Sequence, residues 1–193
     1  SPLPVAQWNA GSEIEETASL FREFLDWSVL LPNIFVGTCP RSRTDIERLQ
    51  SAGITAVVNL QKKIDIRSHT PDLAAPGVLK VEYRRLHMSF SHIPITDFSQ
   101  EAKIDKLPDA VHVLNGLLDN GHRVYVHCTA GIGRSVAVCI AYLHWCKGVD
   151  LDAALIHMKQ VRPIAFLDRD AVFLATPEYK AKYKCDVKNV DLH

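Results

Sequence analysis

Short apolar runs alternate with amphipathic stretches along most of the chain. Apolar runs of four to eight residues bounded by glycine, proline or asparagine are typical of buried strands. They occur at residues 34–37, 54–60 and 124–127, and a further strand is predicted over residues 88–95. Apolar residues at helical spacing instead predict helices over residues 14–27, 42–50, 77–87, 104–118, 134–146, 150–161 and 168–183. This alternation predicts an α/β domain.

Polar stretches separate these elements and suggest how the chain is divided. Residues 61–77, with two prolines, and residues 96–103 are predicted to be loops. We expect an N-terminal extension with a helix over residues 1–29, a catalytic domain over 30–184 and a tail over 185–193. Because the chain does not begin with Met, we expect that any targeting segment has already been removed.

Composition narrows the possible partners and the compartment. Lys and Arg total 22, as do Asp and Glu, so no net charge attracts the chain to nucleic acid or a membrane surface. No apolar run approaches the ~20 residues that a membrane-spanning helix needs. The five cysteines show no disulfide framework, which favours an intracellular reducing compartment. We therefore expect no nucleic-acid and no membrane partner; the oligomeric state is not predicted.

The most informative stretch joins a predicted strand to a predicted helix through a glycine-containing loop at residues 128–133. Backbone N–H groups in such a loop form a concave anion site, and the positive end of the following helix points at the anion. The lysine of nucleotide-binding loops is absent, so ATP is not implied. The anion is expected to contact the small uncharged loop residues Thr129, Ala130, Gly131, Ile132 and Gly133.

Two side chains give this loop its chemistry. A thiol beside a helix N-terminus and a guanidinium has a lowered pKa, so Cys128 is expected to be a thiolate nucleophile aimed at a bound phosphate. Arg134 can hold two phosphoryl oxygens through its planar fork. The alternative of a buried structural cysteine does not account for the glycines and the arginine. Metal binding by His127 and Cys128 is disfavoured because no second Cys/His pair lies at ligand spacing.

Expulsion of an alcohol from a phosphate ester calls for a positioned acid. Asp97 follows a predicted strand and precedes the helix before the loop strand, so it should lie at the same sheet edge as Cys128. An ordinary helix-entry carboxylate remains the alternative. Asp105 and Asp109 are weaker candidates because both fall inside the predicted helix.

The pattern His127-Cys128-x-x-Gly131-x-x-Arg134-Ser135 matches the signature of the cysteine-dependent phosphatases, and the short chain resembles their dual-specificity branch. The resemblance implies a central, mostly parallel sheet flanked by helices and a phosphocysteine intermediate. It implies that Arg134 clamps the phosphate and that Ser135 assists release of the thiolate. The family's acid lies about thirty residues before the cysteine, and Asp97 lies thirty-one before it. No cofactor and no metal are implied.

Several segments resemble the laforin-like and plant-type glucan phosphatases of this branch. They lie at residues 31–40, 53–61, 97–98, 107–111, 128–134 and 162–168. This resemblance implies removal of phosphate from a starch- or glycogen-like glucan. Laforin also carries a carbohydrate-binding module, for which we expect no room in this chain. Residues 61–94 match poorly, which leaves substrate preference open.

The chemistry around the loop fits a neutral glucan carrying one phosphate. No charged residue lies between Cys128 and Arg134, whereas phosphoinositide phosphatases usually place lysines there. Phe98 and Phe166 could form platforms for sugar rings, or both could be core aromatics. Tyr142 and Trp145 are expected to be core.

Three functions are therefore compared. The first is a glucan phosphatase, and the alternative is a protein dual-specificity phosphatase that uses the same residues on phosphoserine, phosphothreonine or phosphotyrosine. The third, a non-catalytic scaffold, is disfavoured because Cys128, Arg134 and Asp97 are all present.

The compartment would be a plastid in a photosynthetic source and the cytoplasm otherwise. Cys39 could trap oxidised Cys128 as a disulfide, or it could be a buried structural thiol.

Overall fold

The computed structural model describes residues 24–183. Its centre is a five-stranded sheet in the order β1-β2-β5-β3-β4. Only β1 runs antiparallel to its neighbour; the other three pairings are parallel, which confirms the expected mostly parallel sheet. The strands are β1 (Trp27–Leu31), β2 (Ile34–Gly37), β3 (Ala56–Asn59), β4 (Ser89–His92) and β5 (Val124–His127).

Helices cover both faces of this sheet. Alternate residues of a strand point to opposite faces, so Val124 and Val126 pack in one apolar core and Tyr125 packs in the other. The helices are α1 (Arg43–Ser51), α2 (Lys63–His69), α3 (Val78–Arg85), α4 (Gln100–Asp119), α5 (Arg134–Lys147), α6 (Leu151–Val161) and α7 (Arg169–Lys182). None of the helices within residues 24–183 is long and apolar enough to cross a membrane.

Helix α5, which follows the loop at residues 128–133, lies in the larger of the two apolar cores. Most of α5 is buried, as its nearly continuous apolar sequence predicts. Tyr142 and Trp145 are both buried, so their assignment to the core is confirmed. The N-terminal end of α5 is thereby fixed against the sheet.

Three segments differ from the sequence-based expectation. The predicted loop at 61–77 contains α2 and a 3-10 turn (Pro71–Leu73); α2 has seven residues and buries only Ile66, too little for a helical apolar pattern. Helix α4 begins inside the predicted loop 96–103 because Ser99 caps it, accepting a hydrogen bond from the Ala102 N–H. Trp27 lies in β1 and not in the predicted helix 14–27.

Most of that N-terminal helix, with the tail at 185–193, lies outside the described residues.

The strand register brings several chain segments together at one edge of the sheet. Gly37 of β2 and Asn59 of β3 both pair with His127, the last residue of β5. Because these strands are parallel, the segments that follow them emerge side by side, which is where ligands bind in open α/β sheets. Pairing continues past β4, where the Ile95 N–H donates to the Leu60 carbonyl at 3.0 Å. The chain reaches Asp97 two residues later.

Candidate active site

The phosphate loop, residues 128–133, connects β5 to α5 and can be closed only around glycine at its centre. Gly131 has a φ of +65°, a conformation that favours glycine. A Cβ atom there would lie 2.4 Å from the carbonyl carbon of Gly37. The loop therefore packs directly on the backbone of β2.

Hydrogen bonds from neighbouring segments fix the loop from outside. The Arg162 Nε donates to the Gly131 carbonyl at 2.6 Å, and its Nη1 lies 3.1 Å from Asp26 Oδ2. The backbone N–H groups of Cys39 and Phe166 donate to the carbonyls of Thr129 and Ile132. The loop shape is thus set by two segments that are distant in sequence, one at Cys39 and one at residues 162–166.

Cys128, at the start of the loop, is 3% exposed and is the expected nucleophile. Its Sγ lies 3.3 Å from the Ser135 Oγ. Burial raises the pKa of a thiol, but here the charge of Arg134 and hydrogen bonds from the hydroxyl and backbone N–H of Ser135 outweigh burial. The pKa of Cys128 is lowered as a result. The site therefore favours the reactive thiolate.

The Ser135 hydroxyl should shift the thiol titration measurably. Ser135→Ala removes one hydrogen bond that stabilises the thiolate, so the pKa of Cys128 should rise. The pH dependence of alkylation by iodoacetamide measures this shift. Ser68→Ala, which removes a hydroxyl bonded to the Ile64 carbonyl on α2, is the control. An unchanged midpoint in Ser135→Ala would contradict the assignment.

The Arg134 guanidinium is the second component of the site and is only 1% exposed. Its Nη1 donates to Asp65 Oδ2 at 2.7 Å and to the Ile95 carbonyl at 3.0 Å. Its Nη2 donates to Asp97 Oδ2 at 3.1 Å and to Thr129 Oγ1 at 3.3 Å. The buried Nε has no hydrogen-bond partner among residues 24–183. That donor is available for a phosphoryl oxygen.

Of the three candidate acids, only Asp97 lies at the site. It follows the extension of β4 and forms an ion pair with Arg134. Asp105 is exposed and pairs with Lys106. Asp109 pairs with Lys182, away from the phosphate loop. Of the three, Asp97 alone contacts Arg134.

Both phenylalanines proposed as platforms are exposed, so assigning them to the core is wrong. Phe98 is 87% exposed and has a positive φ of 53°, which is unusual for a residue with a Cβ atom. Phe166 is 53% exposed, and the Lys103 Nζ lies 5.4 Å from the centre of its ring. Phe98 is next to Asp97, and the backbone of Phe166 contacts the phosphate loop. Each ring is thus attached to a segment of the site.

Burial favours the uncharged form of two further groups beside Cys128, the His127 ring and the Cys39 thiol. Burial lowers the pKa of His127 to about 4, so its ring is neutral at neutral pH. Its Nδ1 lies 2.9 Å from the Cys128 carbonyl, to which it donates because a carbonyl only accepts. Cys39 is a free buried thiol whose pKa is raised to about 11, chiefly by burial. Its proposed reaction with oxidised Cys128 remains a prediction, and its protonated state would make that reaction slow.

Sequence reasoning missed three residues that contact the site. Asp65 binds Arg134, Gln61 donates to the Thr129 hydroxyl at 3.1 Å, and Arg162 holds Gly131. Asp65 lies where the resemblance is poorest, whereas Gln61 is the last residue of the resembling segment 53–61. Both follow β3, whose end lies beside β5, and for Asp65 this position is the one signal. Within residues 24–183 there is no group of three or more His, Cys, Asp or Glu side chains that could hold a metal ion.

Comparison with known proteins agrees with this site. Residues 34–171 match the family profile "Dual specificity phosphatase, catalytic domain". The chain is 32% identical over 198 residues to laforin of Mus musculus, covering 94% of this chain and 60% of laforin. It is 37% identical over 135 residues to "Phosphoglucan phosphatase LSF1, chloroplastic" of Arabidopsis thaliana, covering 66% of this chain and 21% of that protein.

Less than two thirds of each relative is therefore represented here. Among solved structures, Tk-PTP in its active form superposes with a TM-score of 0.63 at 22% identity, covering 81% of this chain and 97% of that one, which shows the shared fold. The family match spans strands β2 to β5 and the phosphate loop. The chain belongs to the dual-specificity phosphatase family, and within it the chain is similar to laforin and the plant phosphoglucan phosphatases.

Proposed function

We propose that this protein is a cysteine-dependent phosphatase that removes phosphate from a starch- or glycogen-like glucan through a phosphocysteine intermediate. One observation carries the chemistry. The lowered-pKa thiol of Cys128 and the unpaired Nε of Arg134 lie at the two ends of the phosphate loop, and both side chains are buried. A thiolate beside a free guanidinium donor is suited to bind and attack a phosphate monoester. A scaffold would not need these groups.

The reaction proceeds in two steps. The Cys128 Sγ attacks phosphorus while the bond from phosphorus to the leaving oxygen breaks, and Asp97 gives its proton to that oxygen. Water then attacks the phosphocysteine, and Asp97 takes a proton from it. The sulfur–phosphorus bond breaks with its electron pair returning to sulfur, where the Ser135 hydroxyl stabilises the thiolate. Arg134 holds two phosphoryl oxygens throughout.

The role of Asp97 predicts a dependence on the leaving group. Asp97→Asn should lower kcat about 100-fold for an alkyl phosphate, because an alkoxide needs a proton to leave. The loss should be much smaller for p-nitrophenyl phosphate, whose phenolate leaves without one. Asp105→Asn removes an exposed carboxylate from the same region of the chain and should leave both rates unchanged. Equal losses on the two substrates would contradict the acid role.

The surroundings of the loop favour a glucan over a phosphoprotein. The residues between Cys128 and Arg134 are uncharged, so they offer little to the charges that flank many phosphorylation sites. The exposed rings of Phe98 and Phe166 offer flat apolar surface on which sugar rings can stack. The similarity to laforin and to a phosphoglucan phosphatase supports the same choice.

A direct comparison of substrates tests this choice. Phosphate release from phosphorylated amylopectin should exceed release from a phosphotyrosine or phosphothreonine peptide at equal phosphate concentration. Phe98→Ala and Phe166→Ala should each reduce the glucan rate by roughly five- to tenfold, the loss of a contact worth more than 1 kcal/mol. Phe173→Ala, which removes an exposed ring on α7, is the matched control. A higher peptide rate, insensitive to the first two variants, would support the protein phosphatase instead.

We also propose that the protein works in a reducing compartment, a plastid in a photosynthetic source and the cytoplasm otherwise. The four cysteines within residues 24–183 form no disulfide with one another. A catalytic thiolate is readily oxidised, which makes reducing conditions necessary for activity.

A further inference from the structure

Asp65, a residue outside the phosphatase signature, contacts the phosphate-binding arginine directly. It lies in the first turn of α2, and its Oδ2 accepts hydrogen bonds from Arg134 Nη1 at 2.7 Å and from the Lys62 backbone N–H at 2.9 Å. Its side chain is 21% exposed. One oxygen therefore joins the start of α2 to the centre of the site.

The contacts of Arg134 show what this carboxylate determines. A guanidinium has five N–H donors in a rigid plane. Asp65 and the Ile95 carbonyl take the two donors of Nη1, on the side away from the unpaired Nε. The unpaired donor lies on the edge formed by Nε and Nη2. A phosphate binds an arginine best through two parallel hydrogen bonds, so it would take this edge by displacing Asp97 or Thr129 from Nη2.

We propose that Asp65 is a positioning residue that holds Arg134 in its phosphate-binding orientation; this inference rests on the proposed phosphatase function of the same site. Without Asp65, Nη1 keeps only the uncharged Ile95 carbonyl. Asp97 is then the remaining carboxylate bonded to the guanidinium, and a two-pronged pair between them would occupy the edge that phosphate needs. Loss of Asp65 should therefore weaken phosphate binding. It should also keep Asp97 bound to the guanidinium, where Asp97 cannot act as the acid.

Three variants separate positioning from helix capping. Asp65→Ala removes both bonds. Asp65→Asn keeps an oxygen that can accept both, so it should recover most of the lost function. Asp45→Ala is the matched control, because Asp45 accepts a backbone N–H at the start of α1 in the same way and bonds no residue of the site. Thermal unfolding compares the folding of all three variants.

The readouts are kcat and KM for p-nitrophenyl phosphate and inhibition by orthovanadate, an analogue of phosphate. Asp65→Ala should lower kcat/KM about 100-fold, as displaced catalytic groups do, and should weaken vanadate inhibition at least about tenfold. Asp45→Ala should match the wild type in both.

Two results would overturn the proposal. The first is a kcat/KM and vanadate inhibition within twofold of wild type in folded Asp65→Ala. The second is an Asp65→Asn variant as impaired as Asp65→Ala, since the hydrogen-bonding oxygen would then be present without effect. A wild-type protein that binds vanadate but hydrolyses no phosphate ester contradicts the proposed function alone. In that case, vanadate affinity across the variants still decides the role of Asp65.

Discussion

Replacing Cys128 with serine is expected to lower kcat by on the order of 10⁴- to 10⁶-fold, the range seen when a covalent catalyst loses its nucleophile. The serine hydroxyl is nearly the same size as the thiol but is not ionised at neutral pH, so the lowered pKa of Cys128 has no counterpart in the variant. The fold should be retained, because serine fills nearly the same small volume as cysteine at this buried position. Hydrolysis of p-nitrophenyl phosphate, with thermal unfolding as a check on folding, measures the effect.

Cys146→Ser provides the matched control for this loss. Cys146 is also buried, but its Sγ lies 3.1 Å from the Tyr179 hydroxyl, in the core between α5 and α7. Its replacement tests whether a buried thiol-to-hydroxyl change harms activity by itself, and we expect turnover to be kept. Appreciable turnover by the Cys128→Ser protein would contradict covalent catalysis by this thiol.

Replacing Arg134 with lysine is expected to cost about 10³-fold in kcat/KM, the upper range for removing one preorganised donor group. Lysine keeps the charge but is a single donor point and cannot bind two phosphoryl oxygens in the plane of a guanidinium. The variant also removes the guanidinium with which both Asp65 and Asp97 form ion pairs. Both binding and chemistry should suffer, so KM should rise and kcat should fall.

The control for Arg134→Lys is Arg169→Lys on the surface. Arg169 pairs with Asp152 where both side chains are well exposed, and such pairs contribute little to stability because water and salt screen them. Its replacement should change neither kcat nor KM. If Arg134→Lys behaved like Arg169→Lys, the guanidinium would not be the phosphate clamp.

The proposed catalytic residues could be predicted from the sequence because local chain geometry determines their arrangement. Cys128, Arg134 and Ser135 lie within eight consecutive residues, and the strand-loop-helix pattern alone places them around one loop. Asp97 needed one more step, the inference that parallel strands end at the same edge. The register of β3 with β4 and β5 confirms that step.

The residues that support the site could not be predicted in the same way. Arg162 reaches Gly131 across 31 positions, and Asp65 reaches Arg134 across 69, so neither contact has a local pattern. Helix α2 is too short for a clear apolar period, and capping at Lys62 and Asp65 marks its start. Trp27 of β1 packs edge-on against Tyr125 of β5, and this tertiary contact outweighs the helical spacing of the preceding residues.

The most direct test of the central claim is to trap the covalent intermediate. The Ser135→Ala protein, in which release of the thiolate should be slowed, is mixed with phosphorylated amylopectin and quenched in acid, and its peptides are analysed by mass spectrometry. The account predicts one phosphoryl group on the peptide that contains Cys128, absent from Cys128→Ser treated in parallel. Phosphate release without any adduct on Cys128, or with an adduct on another residue, would contradict it.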